Sequence, residues 1–264
     1  MYYIIPVMPL RTLVAAAVLL TISCGSAGLF RQYEYEEDVY LSLDGTATVY
    51  VNSSVAALNA LRGTSFDADP GAAVDLAAVR SYFTTPLTRV VGRVTTSARN
   101  NRRYVHLRVD VDEITRLGET APFAWSRYDF TREDDLYVYR QRVGSPAGRA
   151  PGDVGWTGRE LVGFRLHVPS KIDFHNTLEG VGRGNILVWE QSLEERLGGT
   201  GIAMETRMEI QSILYRTLWL FGWTLLAVAA TFGVVIWRVV RRAPAGASGG
   251  YSRRPAGGSM SRPQ

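Results

Sequence analysis

Over residues 33–51 apolar and polar side chains alternate with a period close to two. Tyr33, Tyr35, Val39, Leu41 and Leu43 lie on one side of Asp44-Gly45, and Ala47, Val49 and Val51 on the other. That period belongs to a strand with one dry and one wet face, and Asp-Gly tolerates positive φ, so the stretch predicts a hairpin. Asn52-Ser53-Ser54 then offers side-chain oxygens to cap a short helix over 55–61, closed by Gly63. A second helix is predicted over 72–83, with Val74, Leu76, Val79, Tyr82 and Phe83 on its apolar side and Pro86 preventing continuation.

A further hairpin is predicted from strands over 90–97 and 104–111, turned by the segment containing Asn100-Asn101. In its second strand Tyr104, His106, Arg108 and Asp110 alternate with Val105, Leu107, Val109 and Val111, the pattern of a sheet covered on one side. A helical turn is expected over 112–117 and strands over 136–143, 161–168, 185–190 and 203–210. Glycine, proline and alanine dominate residues 144–158, which predicts a mobile loop. Strands grouped in hairpins, with two helices inserted after the first pair, give an α+β class: a mainly antiparallel sheet with two short helices on one face.

The pattern changes after the last strand. Residues 217–237 contain no charge, and these 21 residues span about 30 Å as a helix, the thickness of a bilayer's hydrocarbon core. Arg216 closes one end and Arg238, Arg241 and Arg242 the other. Trp219, Trp223 and Trp237 stand where indoles settle near headgroups. The side after Trp237 also carries Arg253, Arg254 and Arg262 with no acidic residue, so by the positive-inside rule it faces the cytoplasm. Residues 211–216 read as a very short stalk.

Near the start, residues 1–10 are apolar apart from two tyrosines, and after Arg11 residues 13–22 form an apolar run of signal-peptide length. The segment Thr21-Ile22-Ser23-Cys24-Gly25-Ser26 resembles the lipobox of bacterial lipoproteins, with Thr21 where that motif prefers Leu. Three fates stay open: lipidation at Cys24, cleavage after Ala27, or retention as a signal anchor. The expected organisation is a signal segment over 1–27, an extracytoplasmic α+β domain over 28–212, a transmembrane helix over 213–240 and a disordered basic cytoplasmic tail over 241–264. The expected location is the bacterial cell membrane, crossed once.

Charge sharpens this division. All 25 acidic residues lie between residues 31 and 211, against 20 Arg and one Lys there, so the folded part has a net charge of −4 although the chain as a whole is +4. A basic face for phosphate contacts is therefore missing, and nucleic acid is excluded as a partner. Cys24 is the only cysteine, so no intrachain disulfide is available and the domain must rely on its core. The excess of 28 Arg over one Lys reads as a GC-rich bacterial genome.

Catalytic and cofactor motifs are absent from the sequence: there is no H-E-x-x-H, P-loop, nucleophile elbow or C-x-x-C. Gly180-Val181-Gly182-Arg183-Gly184 precedes a strand and reads as a turn. His106 and His167 are expected on the wet faces of strands. Asp173 and His175, joined by His167, are the one combination with metal-ligand or enzymatic potential, and solvent-facing side chains are the expected outcome. The acidic cluster Glu34, Glu36, Glu37, Asp38 is expected to form a solvated strand edge in place of a cation site, as is Glu133, Asp134, Asp135. Asn52-Ser53-Ser54 is formally a glycosylation sequon but is expected to cap a helix. No enzyme, cofactor or metal is expected.

One ordered series of residues carries a family likeness. Phe164-Arg165-Leu166-His167-Val168-Pro169-Ser170-Lys171-Ile172 is followed by a glycine-bearing loop, then Gly184-Asn185-Ile186-Leu187-Val188-Trp189, a membrane-length segment and an Arg-rich end. This resembles the LppM family of bacterial envelope lipoproteins, in which a strand ending in Pro-x-Lys precedes a Gly-Asn-x-x-x-Trp-like strand. The resemblance implies a non-enzymatic, membrane-anchored envelope protein that binds lipid or glycolipid, and it carries over no catalytic residue. The alternatives are a subunit of an envelope membrane-protein complex, with Ala229 and Gly233 four apart for close helix approach, or an enzyme of envelope lipids or glycans using Asp173 and His175.

Overall fold

The computed structural model describes residues 31–148 and 152–242 of the chain. The predicted signal segment with Cys24, residues 149–151 and residues 243–264 of the tail lie outside the described residues. Two compact units make up the chain, Met1–Ile213 and Leu214–Gln264.

In the first unit β1 (Tyr33–Leu41) turns through Gly45, at φ 87°, into β2 (Ala47–Ser54). Asp44 Oδ1 secures this turn by accepting from the Thr46 N–H at 3.0 Å and its hydroxyl at 2.7 Å. Helix α1 (Val55–Arg62) follows at once, because the Ser54 side chain accepts from the Ala57 N–H at 3.0 Å and Gly63, at φ 73°, ends it. Helix α2 (Leu76–Phe83) begins later than the apolar pattern predicts, since the Asp75 carboxylate caps it on the Ala78 N–H at 2.9 Å. Then come β3 (Thr88–Arg99) and β4 (Arg102–Val111), joined through Asn100 and Asn101 at φ 49° and 55°. Two positive-φ residues in succession are the requirement of a type I′ hairpin.

Two 3₁₀ turns, Ile114–Glu119 and Ala121–Phe123, lead into β5 (Ser126–Glu133), β6 (Leu136–Val143), β7 (Leu161–His167), β8 (Ser170–His175) and β9 (Ile186–Ser192). A short helix α3 (Leu193–Leu197), closed by a reciprocal Ser192–Glu195 capping box, precedes β10 (Ile202–Ser212). The α+β class holds, and the strands divide between two sheets. One has the order β3-β4-β2-β1-β7-β9 and the other β5-β6-β10-β8. All pairings are antiparallel except β1 with β7.

Strands β5 and β8 are additions to the predicted set. Both are edges, and their exposed Arg127, Arg132, Lys171 and Asp173 break the apolar alternation by which a strand is recognised. The predicted stalk is also corrected: β10 runs to Ser212 and a helix starts at Ile213.

The core explains the position of α1. Val55, Ala56, Ala57, Leu58, Ala60, Leu61 and Arg62 are all buried, so this helix is wrapped on nearly every side. Its alanines permit close approach, and its last carbonyls receive the Ala147 N–H at Leu61 and the Gly148 N–H at Ala60, each at 3.1 Å. A Cβ at Gly148 would stand 1.8 Å from the Asn59 carbonyl oxygen, so only glycine passes there. The loop expected to be mobile is therefore tied to α1 at these two residues.

The second unit contains α4, a helix over Ile213–Arg242 that starts at the last residue of the first unit. Within Ile213–Arg241 the most apolar window of 18 residues has a mean hydropathy of 2.0 and is 0% buried. It is long and apolar enough to cross a membrane.

Candidate functional site

Strand β1 lies between β2 and β7, so the acidic cluster at its start is not a solvated edge. A register irregularity between Tyr33 and Tyr35 turns Glu34 and Tyr35 both inward, and Glu34 and Glu37 are fully buried. Each has its arginine. Glu34 accepts from the Tyr104 hydroxyl at 2.5 Å and lies 3.0 Å from Arg102 Nε. Arg102 also donates to the Val154 and Gly155 carbonyls at 3.0 and 3.1 Å, fastening residues 154–155 to the sheet.

Glu37 meets Arg62 at 2.7 Å, and accepts from the Tyr35, Tyr128 and Gln141 side chains at 2.8, 2.9 and 3.2 Å. These partners come from both sheets and α1. Burial pushes the Glu37 carboxyl up to about 7, while the hydrogen bonds from Tyr128 and Gln141 pull the other way. Burial likewise brings the Arg62 guanidinium down to about 9. The rest of that guanidinium is covered by rings, 3.9 Å from the Trp125 centroid, 4.8 Å from Tyr35 and 5.3 Å from Phe123. Arg196, fully buried on α3, stands 5.6 Å from the same indole. These groups join the layers and fill the interior with side chains.

The opposite face of the six-stranded sheet has a different character. Pairing places Asp110, Thr48, Tyr40 and His167 in one row across β4, β2, β1 and β7. Arg108, Tyr50, Asp38 and Arg165 make the next row, and His106, Asn52, Glu36 and Gly163 the third. Tyr40 stacks on His167 with centroids 3.7 Å apart and planes 12° apart, and meets Tyr50 edge-on at 5.4 Å. The two tyrosines are 43% and 37% exposed, so part of each side chain reaches solvent although His167 covers one face of Tyr40.

Carboxylates on this face share their arginines. Arg165 Nη1 donates to Glu36 at 2.6 Å and to Asp38 at 3.2 Å. Tyr33 lies over Gly163, where a Cβ would stand 2.9 Å from its ring, and donates to Glu190. Arg31 holds Glu179 and Glu190, each at 2.8 Å. Burial, and for His106 also the nearby Arg99 charge, lowers the His106 and His167 pKa values and favours neutral rings. His106 contacts Ser97 Oγ at 2.8 Å and Asn52 Oδ1 at 2.9 Å; since Asn52 Oδ1 only accepts, His106 carries its proton on Nδ1. The result is a platform of two partly exposed phenol rings among amide, carboxylate and guanidinium groups. Such a surface suits a polyhydroxylated ligand, with ring faces against C–H groups and planar polar groups for hydroxyls.

The predicted residues fall as follows. Asn52 is a mid-strand residue paired with Glu36 and His106, and Ser54 does the capping. His167 belongs to the platform, whereas Asp173 and His175 lie on edge strand β8; among the described residues no group of three His, Cys, Asp or Glu side chains gathers as metal ligands do. Glu133 pairs with Arg140 at 2.7 Å beside the Asp134 turn. A cleft of about 540 Å³ at the start of α1 mixes apolar and polar lining, with Ala56, Ala68, Pro70 and Val154 beside Arg103 and Asp153.

On α4 Trp219, Trp223 and Trp237 are 52%, 62% and 53% exposed. Arg241 places its guanidinium 4.1 Å from the Trp237 centroid, Arg238 lies one residue past that indole, and Arg242 is the helix's last residue. Sequence reasoning missed the platform's centre, Tyr40 and Tyr50, because only strand register shows that they are neighbours.

These features define a two-sheet α+β domain followed directly by a helix long and apolar enough to cross a membrane. No protein-family model matches the chain, and no curated protein matches it. Among solved structures it is similar to the folded domain of the Mycobacterium tuberculosis LppM protein, determined by NMR, with a TM-score of 0.38 and 10% identity over 69% of this chain and 94% of that one. That is a distant fold relationship.

Proposed function

We propose that this chain is a single-pass membrane-anchored protein of the bacterial cell envelope. Its folded domain stands outside the cytoplasm and acts by binding, not by catalysis. The observation that carries this is α4, apolar over the length of a bilayer, with its most apolar window unburied, carrying Trp219, Trp223 and Trp237 with Arg238, Arg241 and Arg242 beyond. The ligand we propose is the saccharide headgroup of an envelope glycolipid, held on the Tyr40–Tyr50–His167 platform. The polar and charged side chains that surround Tyr40 and Tyr50 favour a headgroup over an acyl chain.

Two measurements test this. The full chain should stay in the membrane pellet after alkaline carbonate extraction, with the domain digested by protease added to the outer side; release into the supernatant would end the anchoring reading. Detergent-solubilised protein should bind vesicles containing envelope glycolipid more tightly than plain phospholipid vesicles, and Tyr40→Ala with Tyr50→Ala should remove the difference. Equal binding of both vesicles by the unaltered protein would end the ligand reading.

A second reading, a subunit of a membrane complex, is favoured by a groove of about 490 Å³ on α4, where Gly222 leaves a gap among Tyr215, Leu218, Trp219, Trp223 and Leu226. Crosslinking in native membranes from a probe at Gly222 would trap a partner helix in that case, and lipid alone otherwise.

A further inference from the structure

Three arginines are buried among the described residues, and one of them lacks a counter-charge. Arg62 meets Glu37 at 2.7 Å and Arg102 meets Glu34 at 3.0 Å. Arg196 on α3 is 0% exposed and has no ion-pair partner among the described residues. Its Nη2 donates to the Gly144 carbonyl, while its Nε and Nη1 have no hydrogen-bond partner there. Burial pushes its pKa down with no neighbouring carboxylate to oppose the shift. The Trp125 ring, 5.6 Å away, compensates only part of the desolvation of a guanidinium. A buried charge of this kind calls for an anion close by.

The Gly144 carbonyl that Arg196 holds belongs to the wall of a cleft. The cleft measures about 440 Å³, and its lining includes Thr115, Glu119, Trp125, Arg127, Arg142 and Gly144. Close backbone approach shapes it: a Cβ at Gly118 would stand 2.4 Å from the Ser126 carbonyl oxygen, so the 3₁₀ turn Ile114–Glu119 lies directly on β5. Arg127 and Arg142 are directly opposite each other in the β5–β6 register, a like-charge pair that destabilises the strands unless an anion answers it. Arg142 has no ion-pair partner among the described residues, and Arg127 has Asp129 at 3.4 Å. The carboxylate in the lining, Glu119, is held by Arg116 at 3.0 to 3.3 Å, and Glu113 accepts the Thr115 hydroxyl at 2.8 Å. Trp125 is 7% exposed, and its indole N–H has no acceptor among the described residues.

From this arrangement we infer that the cleft binds a phosphate monoester, with Arg127 and Arg142 on its oxygens, the Trp125 N–H as a further donor and Arg196 as the buried charge behind Gly144. Planar guanidinium forks match phosphate oxygens, and a group carrying close to two negative charges answers two facing arginines better than a carboxylate does. A cleft of this volume has room for more than the phosphate itself, so the ester carries a further group the size of glycerol or a sugar. A soluble phosphate ester and a lipid headgroup ending in phosphate present the same oxygens. The site uses no residue of the Tyr40–Tyr50–His167 platform or of α4, and it depends on neither.

Calorimetric titration of the detergent-solubilised full chain with glycerol 3-phosphate, and separately with short-chain dihexanoyl phosphatidic acid, tests this. The expected result is one saturable site per chain, weakened about tenfold or more by Arg142→Ala and several-fold by raising salt to about 0.5 M. Arg142 is exposed, so its loss leaves the core in place. Arg196→Met keeps the volume and removes the buried charge; it should weaken binding about threefold while leaving the urea midpoint unchanged or higher. A lowered midpoint with unchanged affinity would overturn the role given to Arg196. Tighter binding of the phosphatidic acid, lost in Arg142→Ala, assigns the site to a lipid headgroup, and equal affinities assign it to a soluble ester. No saturable binding of either ligand, or affinities that Arg127→Ala and Arg142→Ala leave unchanged, overturns the inference.

Discussion

Glu37 and Arg62 meet at 2.7 Å with side-chain exposures of 0% and 1%, one from the centre of the six-stranded sheet and the other from the last turn of α1. Removing one member leaves the other charge without its partner in a dry interior. Arg62→Ala is expected to destabilise the protein by about 3–5 kcal/mol, the range for a broken buried pair. Part of that loss is the guanidinium's cover on Trp125, Tyr35 and Phe123. Glu37→Gln with Arg62→Met should recover most of the loss, because no uncompensated charge remains. Urea denaturation of the detergent-solubilised chain measures both. A double variant as unstable as Arg62→Ala would mean that the charges themselves contribute the stability.

Burial raises Glu37 from its ordinary 4.5 to about 7, so the folded state holds this proton more tightly than the unfolded chain does. The stability it contributes is fully present below pH 4.5 and is lost as pH rises through 7. His106 and His167, whose pKa values are lowered, work in the opposite sense: their contribution is present above 6.5 and is lost on acidification. The comparison with Glu37→Gln isolates the carboxyl. Between pH 5 and 8 the unaltered protein should lose more stability than Glu37→Gln, and Arg62→Ala should lose more than either. Parallel profiles for all three would contradict the assignment.

The same pair shows where reading the sequence stops. Alternation around Asp44-Gly45 made the first hairpin legible, because turn chemistry and strand period act over neighbouring residues. The capped helix after Ser54 was legible for the same reason, and so was the membrane-length segment. Glu34 and Glu37 were misread as solvated because a carboxylate is expected in water unless its partner is seen. Arg102 and Arg62 lie 68 and 25 positions away, and only the fold brings them in. The irregularity between Tyr33 and Tyr35 then breaks the period that would have marked Glu34 as inward. The platform was hidden in the same way. Tyr40, Tyr50 and His167 are unremarkable one by one, and the order β2-β1-β7, with one parallel pairing, makes them adjacent.

Gly63 offers a local test of the α1 cap. Its φ of 73° ends the helix, and a Cβ there would stand 3.3 Å from the Ala147 carbonyl oxygen. Gly63→Ala therefore combines a left-handed backbone with a tight contact and should cost about 1 kcal/mol or somewhat more. A shift of the urea midpoint without a change in slope would place the loss in the folded state. An unchanged midpoint would show that the end of α1 relaxes freely, contrary to its ties at Leu61 and Ala60.

The anchor makes the last prediction. Val228 is near the middle of the charge-free segment and is 47% exposed, with no protein layer over the surrounding window. If lipid is the solvent there, Val228→Arg introduces a charge where insertion is opposed by about 2.5–3.5 kcal/mol, a shift of about two orders of magnitude in the inserted population. Carbonate-resistant protein should fall sharply. Trp237→Arg, at the end of the charge-free segment where a long side chain reaches the headgroups, should be tolerated. The contrast between the two positions is the signature of a span, since a helix lying in water would accept arginine equally at both. Equal retention of the two variants would therefore remove the bilayer as the partner of α4.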